Sequence, residues 1–141
     1  MTPSEKYVAS LCEKSFLPFW SFPNPLGKKD KELCDVLVVC GNTIILISVK
    51  DIQVSNHKDK NIQYTRWVKK AVDDSIQQLY GAERFLKNVS EIKLKNRVTK
   101  VNLPGIKVRT IYRIAIAFGS DYDFPLPMGI NNRGFVHVFD E

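Results

Sequence analysis

Long hydrophobic runs are missing from this 141-residue chain. None approaches the roughly 20 apolar residues that a bilayer-spanning helix needs. A secretory h-region is missing as well, because Glu5, Lys6 and Glu13 break up the N-terminal stretch. The expectation is a cytoplasmic protein with no membrane contact. Cysteine is scarce and odd in number. Cys12, Cys34 and Cys40 form no CxxC pair and no Cys/His cluster, which argues against a disulfide framework or a zinc site. They read as small buried hydrophobes. Internal repeats and low-complexity segments are also absent, so solenoids and linker arrays are excluded.

What is present is an ordinary globular composition, 44% hydrophobic and 26% charged, at a length that builds one core and hardly two. A single domain over residues 1–141 is therefore expected. Because its last strand stops two residues from the end, it reads as the N-terminal part of a longer protein. The net charge of +6 is unevenly spread. From Lys87 to Arg113, eight lysines and arginines face a single acid, Glu91, a local excess larger than that of the whole chain. Such a region fits a polyanionic partner such as nucleic acid, or else a solvated basic face.

Apolar spacing predicts a helix over residues 3–16, opened by Thr2-Pro3-Ser4-Glu5 and carrying Tyr7, Val8, Leu11, Cys12 and Phe16. Pro18, Pro23 and Pro25 make the next stretch irregular or edge-like. Val36–Cys40 and Thr43–Ile47 are β-branched apolar runs separated by Gly41-Asn42, the signature of a type II′ hairpin. Both faces of each run are apolar, which places the hairpin inside a sheet covered on both sides. Residues 53–63 read as a loop and about 66–88 as a long helix. The basic stretch 89–105 ends in a turn, 108–118 is a strand, 119–134 a loop, and 135–139 a last strand. The order indicates α/β.

Register arithmetic gives the hairpin its chemistry. With Gly41-Asn42 as the turn, Asp35 stands opposite Ser48, and Lys50 is a diagonal neighbour on the same face. Inward from them that face is apolar: Leu37 with Leu46, Val39 with Ile44. A carboxylate there can hold a hard cation through oxygen, and a lysine beside it can orient water or offset charge on a phosphate. The plain alternative is a strand-end Asp–Lys surface pair worth about 0–1 kcal/mol.

Asp35 followed by Ser48-Val49-Lys50 resembles the signature of the PD-(D/E)XK nuclease superfamily. The resemblance implies a restriction-endonuclease-like core, a mixed central sheet with an antiparallel hairpin flanked by helices. It also implies Mg²⁺ (or Mn²⁺) and cleavage of phosphodiester bonds. By the match, Asp35 is the central metal ligand, Lys50 the catalytic lysine, and Glu13 the acid on the first helix, with Glu5 as the alternative. Cys34 replaces the proline of the pattern. Ser48 replaces its second acid, which removes negative charge and affinity for metal. Some restriction enzymes of this superfamily with Ser-x-Lys take that acid from the following helix, where Asp74 or Asp73 could serve and Gln78 shares a side with Asp74. Helix-start charge is the alternative account of Asp73-Asp74.

The implied function is a metal-dependent endonuclease acting on DNA. The alternatives are a catalytically inactive nuclease fold that binds nucleic acid through residues 87–113, and a protein-interaction module. Lys93, Lys95, Arg97 and Lys100, with Arg66, Lys69 and Lys70 at the long helix's start, are the candidate phosphate contacts. A homodimer is left open. His57 and His137 lack partners at ligand spacing, Trp20 and Trp67 read as packing residues, and Asp121 and Asp123 as solvated turn residues.

Overall fold

The computed structural model describes residues 1–120, 124–127, 129–131 and 133–140; Asp121 and Asp123 lie outside them. Helix α1 spans Pro3–Phe16. A capping box starts it: Thr2 accepts from the Glu5 N–H while Glu5 accepts from the Thr2 N–H. The three-residue strand β1 (Ser21–Pro23) follows, then the hairpin of β2 (Val36–Cys40) and β3 (Thr43–Asp51). β1, β2 and β3 form an antiparallel meander, and β3 then pairs in parallel with β6 (Thr110–Phe118). β8 (Phe135–Phe139) lies parallel to β6, and β7 (Gly129–Asn131) antiparallel to β8. The resulting sheet has the order β1-β2-β3-β6-β8-β7. This mixed sheet with a central hairpin is the α/β architecture anticipated.

The hairpin turn is as its sequence dictates. Cys40 pairs with Thr43, and Gly41 takes φ +58° while Asn42 stays out of the left-handed region, the type II′ pattern. Alternation then splits the core into two layers. Leu37, Ile44 and Leu46 face Trp67, Ala71, Val72, Ile76 and Leu79 on one side. Val36, Val38, Ile47 and Val49 meet Val8 and Cys12 of α1 on the other.

Several boundaries differ from the expectation. The long helix starts earlier, at Lys60, because Asp59 caps it by accepting from the Asn61 N–H. It runs as α2 (Lys60–Val68), a π-helical segment over Lys69–Asp73, and α3 (Asp74–Leu86). The wide π turn lets both Ala71 and Val72 bury while keeping Ser75, Ile76 and Leu79 against the sheet. The basic stretch holds a separate two-stranded ribbon, β4 (Glu91–Lys93) and β5 (Lys100–Asn102). Its central residues Ile92 and Val101 are the buried ones, and that period-two burial sustains strands in an otherwise charged segment. β7 likewise falls inside the stretch read as loop. Among the described residues no helix is long and apolar enough to cross a membrane.

Gly119 closes β6 with φ +85°, and a Cβ there would lie 2.5 Å from the Ile52 carbonyl oxygen. That carbonyl also accepts from Trp67 Nε1 at 2.8 Å. Gly119→Ala is therefore expected to destabilise by about 2–4 kcal/mol in urea denaturation. A loss below about 0.5 kcal/mol would show that this corner yields freely.

Candidate active site at the open end of the β2–β3 hairpin

The β2–β3 ladder ends at Val36 opposite Ile47. Asp35 steps out of its register there. Its N–H bonds the Ile47 carbonyl at 3.0 Å, one residue off the ladder, and its Oδ2 accepts from the Val49 N–H at 2.7 Å. The carboxylate thus takes the place of a backbone ladder partner. This side-chain bond stands in place of the expected Asp35–Ser48 pairing, while on the other edge the Asp35 carbonyl continues the β1–β2 register by accepting from the Asn24 N–H at 2.9 Å. Oδ1 makes no hydrogen bond among the described residues.

Asp35 is only 3% exposed. Burial pushes its carboxyl up to about 6, and the nearby charges of Glu5 and Glu32 add to this. The Val49 hydrogen bond and the Lys50 ammonium pull the other way. Glu5, not Glu13, is the acid of α1 whose charge reaches Asp35. The start of α1 is held to the end of β3 by the hydrogen bond that Ser4 Oγ donates to Asp51 Oδ2. Glu13 is exposed and two helical turns further along, about 12 Å.

Ser48 is fully buried on the α3 side of the sheet. Its Oγ lies 2.9 Å from Gln78 Oε1 and 3.2 Å from Ser75 Oγ, with one hydroxyl hydrogen to serve either acceptor. Ser75 Oγ in turn donates to the Ala71 carbonyl at 3.1 Å. Ser48 and Gln78 are thus brought together as a strut between β3 and α3. Lys50, two residues further along β3, is half-buried, and its charge reaches Asp35.

Asp74 is exposed and lines a cavity of about 500 Å³ with Gln53, Ser55, Arg66, Lys69 and Lys70. It is not among the charges acting on Asp35. The strand β3 leads directly into this cavity through Ile52 and Gln53. Trp67 packs in the core with 1% exposure, whereas Trp20 is 43% exposed. His57 is engaged locally, its Nδ1 accepting from the Asp59 N–H, and His137 lies against Phe135 and Phe139.

The basic stretch divides in two. Arg109 is turned inward, donating to the carbonyls of Leu86, Val89 and Pro104. Arg113 is half-buried and clamps Glu83 through both Nε and Nη2. Lys93, Lys95, Arg97 and Lys100 remain exposed.

Among the described residues no cluster of three or more His, Cys, Asp or Glu side chains converges. The donor chemistry at Asp35 still suits one kind of cation. Mg²⁺ keeps several waters and commonly takes one or two carboxylates plus substrate phosphate oxygens. A desolvated carboxylate with a free oxygen, raised by two acidic neighbours, is a place where added positive charge is favourable.

No curated protein and no solved structure matches the chain. The profile of the nuclease-related domain, NERD, matches residues 4–112, which takes in α1, the whole hairpin, α2–α3, the ribbon and the start of β6. That span includes Asp35, Ser48 and Lys50. The chain belongs to the nuclease-related domain family, whose core is of the restriction-endonuclease-like type.

Proposed function

We propose that this protein is a metal-dependent endonuclease that hydrolyses phosphodiester bonds in DNA at the Asp35–Lys50 end of the hairpin. One observation carries the reading: a 3% exposed carboxylate, fixed by a backbone N–H and within electrostatic reach of a lysine on the next strand. Asp35, with Glu5 as the neighbouring acid, would hold Mg²⁺ or Mn²⁺. When bound, the cation activates water and offsets charge on the phosphate in the transition state. Asp35 holds its position through Val49 and Asn24, so its free oxygen needs no reorganisation to bind. Lys50 places positive charge where the phosphoryl oxygens become more negative. Gln78 and Ser75 hold Ser48, and through it the β3 segment that carries Lys50.

The test is nicking of supercoiled plasmid in Mg²⁺ or Mn²⁺, with a chelator control. Wild type is expected to nick, and Lys50→Ala to lose at least 10²-fold in rate. Undiminished nicking by Lys50→Ala removes the assignment.

A second reading is a nuclease fold that binds nucleic acid without cutting. The observation favouring it is the burial of Ser48 at the position where a second acid would stand. Salt-dependent DNA retention, together with no cation-dependent nicking in the same assay, would select it.

A further inference from the structure

Residues 24–35 form an excursion from the active-site end. It leaves at Asn24, whose N–H bonds the Asp35 carbonyl, and returns through Leu33, whose N–H bonds the Pro25 carbonyl. Leu26 bridges Glu32 within the excursion and Lys93 of the ribbon outside it, with the Leu26 N–H donating to the Lys93 carbonyl at 2.8 Å. Asp30 reinforces the junction by its 3.9 Å pair with Lys93. Two segments more than sixty residues apart are thus joined into one surface. Lys28, Lys29 and Lys31 come from the excursion; Lys93, Lys95, Arg97 and Lys100 come from the ribbon. All are exposed, and the carboxylates among them are Asp30, Glu32 and Glu91. At the tip of the excursion Lys29 and Asp30 both hold left-handed backbone, φ 57° and 55°. Two consecutive non-glycine residues in that region mark a conformation fixed by its surroundings.

The ribbon is a sheet of its own, packed by Ile92 and Val101 on one face. Its turn, residues 95–99, is exposed throughout and carries Lys95 and Arg97. A two-stranded ribbon fits the major groove of B-form DNA, about 12 Å wide. It does not fit the deep, narrow major groove of A-form RNA. Lys31, Lys29 and Lys28 precede Asp35 by four, six and seven residues in the chain, so the excursion ties their charge to the hairpin end.

We infer that the joined Lys28–Lys31 excursion and β4–β5 ribbon form the docking surface for duplex DNA, the ribbon turn entering the major groove and the excursion lysines holding the backbone beside Asp35. The inference rests on the nuclease reading for its partner, but docking does not require cutting. Binding is therefore measured in chelator, where no cation-dependent cleavage occurs, by fluorescence anisotropy across a salt series. The probes are a 20-base-pair DNA duplex and the RNA duplex of the same sequence. Wild type is expected to bind DNA at least tenfold more tightly than RNA. The combined K28A/K29A/K31A variant is expected to flatten the slope of log K against log[salt] by about 2–3, at about 0.9 per lost phosphate contact. K95A/R97A is expected to flatten it by about 2 and to abolish the preference for DNA. Unchanged slopes in both folded variants, or equal binding of the two duplexes by wild type, would overturn the inference. Failure of plasmid nicking alone would leave it standing and refute only the catalytic reading.

Discussion

Asp35→Asn is expected to melt above wild type at pH 7.5. In the folded chain the Asp35 carboxyl is pushed up to about 6 from its ordinary 3.8, chiefly by burial. Between those values the folded state holds more protons than the unfolded state, so stability falls as pH rises through the interval. Above about pH 6 the fold carries a charge it would rather not have, and asparagine removes it. Asparagine can still accept from the Val49 N–H through its amide oxygen. Two pH units set a ceiling of about 3 kcal/mol, so a gain of about 1–2 kcal/mol is reasonable, on the order of 5 °C in Tm. The difference should vanish below about pH 4, where the wild-type group is protonated in both states. Millimolar Mg²⁺ should raise the wild-type Tm and leave that of the variant unmoved, because only the wild type supplies the carboxylate. Equal melting temperatures across pH 4–8 would mean that the Asp35 carboxylate carries no strain from burial.

The Glu83–Arg113 pair should give the largest loss of stability. Both side chains are 11% exposed, and Arg113 donates to the two carboxylate oxygens at 2.5 Å each. Arg113 also reaches the Phe135 carbonyl, so one residue ties α3, β6 and β8 together. Arg113→Ala leaves Glu83 charged and buried, with only the mostly exposed Lys87 at 3.8 Å to compensate. The expected cost is about 3–4 kcal/mol by urea denaturation. Replacing both partners, Glu83→Leu with Arg113→Met, should recover most of it, since the penalty lies in orphaning one charge rather than in losing the pair. A single-variant cost under about 1 kcal/mol would show that water reaches this pair freely.

Much of the hairpin was legible in the sequence because strand chemistry has a strict period of two. β-branched runs around Gly41-Asn42 fix the turn, and the turn fixes which side chains share a face. That reasoning placed Asp35 opposite Ser48, with Lys50 on the same face. It missed how Asp35 is held, because its N–H, carbonyl and carboxylate bond Ile47, Asn24 and Val49, partners that the β1 and β3 pairings bring together only in the folded sheet. Tertiary bonds of that kind leave no local pattern. The early start of α2 did leave one, Asp59 as a cap, hidden within a polar stretch. The ribbon left a weak one, in which Ile92 and Val101 alternate with charged neighbours over three residues each. Arg109 and Arg113 were indistinguishable in sequence from solvated cations. Their roles depend on carbonyls and a glutamate brought in from 20–30 residues away.

The most direct measurement is the single-turnover nicking rate of Asp35→Asn against wild type in the same Mn²⁺ buffer. The variant is expected to be at least as well folded, so lost activity cannot be laid to unfolding. A fall of 10³-fold or more is the expected result. A rate within tenfold of wild type would mean that the chemistry happens somewhere other than the mouth of this hairpin.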